Sequence, residues 1–163
     1  MSRDGRRGGC LVVVAFVVFV AGLYGGWRLL TDPPDDAYVC APRTVRAGEP
    51  LPSSLVMVDV FNAGETAGVA GRVSAALQAR GFRPGAVANS SSSIQPAAVT
   101  ILTKDKSDPR VKLVAQQFAK VEYRQPDIEL GSGVTVLIGD DFTELRPAGR
   151  SSITATSDVT VCF

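Results

Sequence analysis

The sequence predicts an α+β fold: a two-layer α/β sandwich of βαββαβ-like order, preceded by one N-terminal transmembrane helix. Three observations predict it. An uncharged apolar run stands near the start of the chain. Strand-like alternation and helix-like periodicity then follow one another. Glycine, proline and asparagine punctuate the junctions between them. The 163 residues allow one domain plus an anchor. The expected division is a cytoplasmic N-terminus over 1–9, a membrane helix over 10–30 and an extracytoplasmic linker over 31–54. An α/β domain over 55–146 and a C-terminal tail over 147–163 complete it.

The anchor comes first in the chain. No charge interrupts Gly8 to Trp27, and Leu11 to Val20 is continuously apolar. Such a stretch, at ~1.5 Å per residue, matches a hydrocarbon core of ~30 Å. Lipid offers backbone groups no partner, so the stretch must be helical. Tyr24 and Trp27 suit the far interface. Arg3, Arg6 and Arg7 precede the run, whereas Asp32, Asp35 and Asp36 follow it, with Arg28 the dissenting charge. That asymmetry keeps the N-terminus in the cytoplasm and carries the domain outside, with membrane lipid as the first partner. A cleaved signal peptide is the alternative, with Leu11–Val20 as its apolar region.

After the proline-bearing linker, Val56, Val58 and Val60 alternate with Met57, Asp59 and Phe61 as in a strand. A helix follows from Thr66, a candidate N-cap, with Val69, Val73, Ala76 and Leu77 on one face. Gly81 is placed to end it, and Phe82 to close over the end. Gly85–Ala88 reads as a short strand and Asn89–Ser93 as a flexible loop. Ala97–Thr103 reads as a further strand. Asp108 before Pro109 marks a helix start whose apolar face is Val111, Val114, Ala115 and Phe118. Val121–Arg124 and Gly133–Ile138 read as the last strands of the domain. The tail looks loose until Val159–Phe163 alternates again.

Composition narrows the chemistry. A net charge of +1 provides no electrostatic footprint for nucleic acid. The chain has no histidine, and no C-x-x-C, H-E-x-x-H or P-loop pattern occurs. The expectation is therefore a protein that is not an enzyme, with no catalytic residue, metal or cofactor. Asp140–Asp141 is the best carboxylate pair, but neighbours on a strand face opposite ways, which favours turn or capping use.

The segment Asn62–Thr66 is the candidate binding turn. Gly64 is conformationally free, and the backbone N–H groups at Thr66 could hold an anionic or sugar group. A tight turn stapled by the Asn62 side chain is the alternative. Arg80, Arg83 and Lys104, with Lys106, Arg110 and Lys112, could form a basic face for acidic polymers, or a merely solvated surface. Cys40 and Cys162 bracket the outer domain, and domain termini often lie close together, which pairs them as a disulfide outside the membrane. Free thiols or an intermolecular bond are the alternatives.

Val58–Gly64, then Gly68–Val73, then Leu77–Phe82 resemble the LytR C-terminal domain family: a strand ending in Asn-x-Gly, a G-x-A-G-R helix core and an R-G-F turn. Leu130–Phe142 is similar to the family's closing strand and G-x-D-F end. The likeness covers Met57 to Phe142. In that family the domain often follows a LytR-CpsA-Psr catalytic domain that transfers glycopolymers onto peptidoglycan. Cys40-Ala-Pro42 and Val161-Cys162 resemble its stand-alone, membrane-anchored actinobacterial members. The resemblance implies a non-enzymatic scaffold of the cell envelope, partnered by cell-wall assembly proteins. A direct peptidoglycan-binding or glycan-binding module is the second reading.

Overall fold

The structure, a computed structural model, describes residues 16–24 and 42–162. Contacts divide the chain into two units, Met1–Val39 and Cys40–Phe163. In the first, residues 16–24 form a helix, α1. Among the described residues no helix is long and apolar enough to cross a membrane. The span expected over 10–30 reaches beyond them on both sides, and Cys10 and Cys40 also lie outside them.

The second unit opens with two short strands, β1 (Pro42–Val45) and β2 (Pro50–Pro52), and a 3-10 turn at Ser53–Leu55. Next come β3 (Met57–Asn62), α2 (Val69–Ala79), β4 (Arg83–Asn89), β5 (Val99–Leu102) and α3 (Pro109–Ala115). Then follow β6 (Glu122–Arg124), β7 (Val134–Ile138), β8 (Ser152–Thr154) and β9 (Val159–Cys162). The main sheet has the order β4-β3-β7-β5-β6. β3 runs parallel to β4 and β7, and β5 runs parallel to β6 but antiparallel to β7. The β-α-β-β-α-β order is present, with β6 as an additional strand before the last.

Register sorts the side chains. Val58, Val60, Val134, Val136, Val99 and Ile101 share one face. They join Val73 and Leu77 of α2, Val111 and Val114 of α3, and Phe118 just beyond it, in one core. Each such side chain contributes ~1.5–3 kcal/mol relative to exposure. On the other face Asp59, Thr100, Thr135, Leu102 and Leu137 are buried as well. There the segment through Gly131 and Gly133 lies against the Asp59 carboxylate, so closely that a Cβ on either would meet it. A register shift between β3 and β4 leaves Gly85 and Ala86 opposite Asp59, which accepts the Ala86 N–H at 2.8 Å.

The helix ends are local chemistry. Asp108 caps α3 by accepting the Arg110 N–H, with Pro109 at the first helical position, as the sequence predicts. Gly81 takes φ +86, and the Phe82 N–H reaches back to the Leu77 carbonyl, closing α2. The start of α2 differs from expectation. Its N-cap is Gly68 at φ 76, not Thr66, whose N–H and hydroxyl are drawn to another partner.

The segments read as linker and tail are also different. β1 pairs antiparallel with β9, Pro42 opposite Cys162, and β2 pairs with β8, Leu51 opposite Ile153. Residues 42–54 and 147–162 are thus built into the folded unit. Pro50 and Pro52 are tolerated because the Ser53 N–H points at the Ser151 carbonyl. Alternation then turns the two proline nitrogens away from the ladder.

Candidate functional site

The β3 strand ends at Asn62, whose side chain staples the turn after it. Its carbonyl oxygen accepts the Gly64 N–H at 3.2 Å, and its amide donates to the Thr66 carbonyl at 3.0 Å. The Ala63 N–H is held by the Ile138 carbonyl at 2.8 Å, which ties the turn to β7. Beyond β7 the chain bends at Gly139, where a Cβ would meet the Pro96 and Ala97 carbonyls. That bend brings the Asp140 carboxylate to the turn.

Asp140 Oδ1 accepts the Glu65 N–H at 3.0 Å, the Thr66 N–H at 3.1 Å and the Thr66 hydroxyl at 3.1 Å; its Oδ2 takes the Glu65 N–H at 3.1 Å. These bonds, that from Glu65 first, hold its pKa below the ordinary carboxylate value. Gly64 is required for the approach, since a Cβ there would lie 2.5–2.9 Å from the carboxylate. The donors read from the sequence as an anion site thus receive an internal anion. Asp140 takes the turn role expected of it.

Beside the stapled turn lies a cleft of about 400 Å³ lined by Asn62, Gly64, Glu65, Asn89, Ser90 and Gln95. It sits at the carboxyl ends of the parallel strands β3 and β4, the usual ligand position in such sheets. Its amides and hydroxyl can donate and accept, which suits hydroxyl- or amide-bearing groups. Among the described residues no group of three or more potential metal ligands occurs.

The structure brings Asn62, Gly64 and Thr66 together but distributes the basic residues. Arg80 ends α2 and donates to Gln117 Oε1 at 3.0 Å. Arg83 opens β4. Lys104 lines a separate cleft with Asp105, Asp108 and Asp127. Arg110 pairs with Asp108 at 2.6 Å, and Lys106 lies 5.5 Å from the centre of the Tyr123 ring. Lys104 and Arg110 thus line one cleft, whereas Arg80 and Arg83 stand at the end of α2 and the start of β4.

The serine loop is not a free linker. Ser92 donates its hydroxyl to Asp127 Oδ1 at 2.6 Å, and Ser93 donates N–H and hydroxyl to Oδ2 at 2.8 and 2.7 Å. These bonds, with the Ser92 hydroxyl the largest cause, push the Asp127 pKa down to about 2.

Two features have no clear signal in the sequence. One is a groove of about 390 Å³ between α2 and residues 142–145. The other is the open edge of β4, whose only ladder neighbour among the described residues is β3. The Ser90 N–H points inward to Asn62, so alternation turns the N–H and C=O of Val87 and Asn89 outward.

A search of curated proteins found no match. Among solved structures, the chain is similar to the soluble domain of a conserved hypothetical secreted protein from Mycobacterium marinum. The identity is 23%, the TM-score 0.44, and the match covers 64% of this chain and 79% of that one. The family described as LytR cell envelope-related transcriptional attenuator matches residues 55–142, from the 3-10 turn before β3 to Phe142. That match spans more than half the chain and includes the stapled turn and Asp140, so this protein belongs to the LytR C-terminal domain family, LytR_C, and has a cell-envelope-related role.

Proposed function

We propose that this chain is a membrane-anchored, extracytoplasmic scaffold of the cell envelope. In this reading it assists the attachment of glycopolymers to peptidoglycan by contacting LytR-CpsA-Psr transferases. The N-terminal apolar run serves as a single-pass anchor with its N-terminus in the cytoplasm, and Cys40 and Cys162 form a disulfide. The protein carries out no catalysis and needs no cofactor.

The observation that carries the reading is the β4 edge. Past Arg83, Pro84 and the register shift, Val87–Asn89 holds no charge, and Val87 is 46% exposed there. The opposite edge, β6, is Glu122–Tyr123–Arg124, three residues long and charged at both ends. Short, charged edges deter strand addition, whereas an open neutral edge admits it. Support for the disulfide comes from β1 and β9, which set Pro42, two residues along the chain from Cys40, opposite Cys162.

Cross-linking in native membranes tests the reading. The full chain should capture an envelope transferase, and Val87→Lys, which puts a charge on the edge, should lose that capture while keeping its circular dichroism. Capture of no transferase, or equal capture by the variant, overturns it.

A further inference from the structure

The groove between α2 and residues 142–145 is lined by both charged and apolar side chains. Arg72, Ala76 and Arg80 stand at i, i+4 and i+8, one row along α2. Ala76 leaves the middle of the row low. Across from it stand Phe142, Thr143 and Glu144. Phe142 packs edge-on against Phe118, ring centres 6.1 Å apart, and remains only half-buried.

The guanidinium at the far end is pre-positioned. Gln117 is 0% exposed, an unusual place for an amide. Its Nε2 donates to the Arg150 carbonyl at 2.7 Å and to the Leu113 carbonyl at 3.2 Å, which fixes its rotamer. Its Oε1 then has one task, to accept Arg80 Nη1. Gly149 leaves the space for this pair, because a Cβ there would meet both Gln117 Oε1 and Arg80 Nη1. One donor of Arg80 is thereby spent on holding the fork still, and the others remain for a guest. The Arg72 side chain is exposed, and its guanidinium makes no hydrogen bond or ion pair among the described residues.

We propose that this groove binds an acidic sugar: a saccharide of about disaccharide size bearing a carboxylate or phosphate. The oxyanion meets Arg80 at one end, and Arg72, eight residues back along α2, donates to sugar oxygens at the other. The sugar body covers Ala76 and the open part of the Phe142 ring. Its hydroxyls meet the Thr143 hydroxyl and the Glu144 carboxylate. Glu144 decides against an acidic peptide, whose further charges it would repel, whereas it accepts hydrogen bonds from sugar hydroxyls. The site is separate from the β4 edge, so either assignment can fail without the other.

The test is isothermal titration of the full chain in detergent micelles with four probes. They are a disaccharide bearing glucuronic acid, the same disaccharide bearing glucose, a disaccharide phosphate and a tetra-aspartate peptide. At least one acidic sugar should bind about tenfold more tightly than the neutral one, and which of the two does so names the oxyanion. Arg80→Lys keeps the charge but loses the fork, and Arg72→Ala removes an exposed side chain; each should weaken the acidic sugar by about fivefold or more. Circular dichroism should be unchanged in both variants. Equal affinity for neutral and acidic sugars, or no binding of either acidic sugar, overturns the proposal. So do variants that bind like the parent, and tighter binding of the peptide.

Discussion

Gln117→Met tests the buried polar contact that joins α3 to Arg80 and Arg150. Methionine nearly matches glutamine in volume, so the substitution opens no cavity, and its effect isolates three hydrogen bonds. Those bonds run to the Arg150 carbonyl at 2.7 Å, the Leu113 carbonyl at 3.2 Å and the Arg80 guanidinium at 3.0 Å. A net bond is worth ~1 kcal/mol, one to a charged group ~1.5–3 kcal/mol, and a buried group left unpaired costs ~1–3 kcal/mol. Leu113 is wholly buried, so its carbonyl loses a partner that water cannot replace. Arg80 and Arg150 reach solvent and recover part of their loss. The sum is about 3 kcal/mol, a large share of the ~5–15 kcal/mol typical of a domain. Urea titration of the full chain, followed by far-UV circular dichroism, should show the midpoint falling at unchanged slope. Amide exchange should rise first at residues 146–150. A loss below ~1 kcal/mol would mean that Gln117 does not hold both segments, and the argument for a fixed Arg80 would go with it.

Three further outcomes follow from named contacts. The Asp127 tie to Ser92 and Ser93 contributes stability above the ordinary carboxyl pKa of 3.8 and is lost as pH falls from there through about 2. Exchange at Ser93 should accelerate over that window, and Asp127→Asn should abolish this pH dependence; a variant that keeps it would assign the change elsewhere. Asp140→Ala and Gly64→Ala should each speed exchange at Glu65 and Thr66, and the double variant should add little, because both break one contact. Full additivity of the two would separate them. Thiol labelling of non-reduced protein should find Cys10 alone reactive after unfolding, whereas labelling of Cys40 and Cys162 would rule out the disulfide.

Much of the framework was legible from short-range pattern. Alternation at Val56–Phe61 located β3, and the Asp108–Pro109 pair located the start of α3 to the residue. Arg80-Gly81-Phe82 announced the end of α2, because a left-handed glycine and an i-to-i−5 bond are properties of adjacent residues. Asn62 and its turn were placed for the same reason.

What escaped lies far apart in sequence. Asp140 reaches the Glu65 N–H across 75 positions, Arg80 meets Gln117 across 37 and Ser92 meets Asp127 across 35. The first needs β7 beside β3, the second joins the end of α2 to the end of α3, and the third joins the segments that follow β4 and β6. No periodicity within either segment records that. Asp140 holds Thr66 in the turn while Gly68 caps α2, and the pairing of β1 with β9 and β2 with β8 converted linker and tail into structure. Local propensity thus determined where helices and strands occur. Packing determined which polar groups are already satisfied, and therefore which surfaces, the β4 edge and the Arg72–Arg80 groove, remain open to a partner.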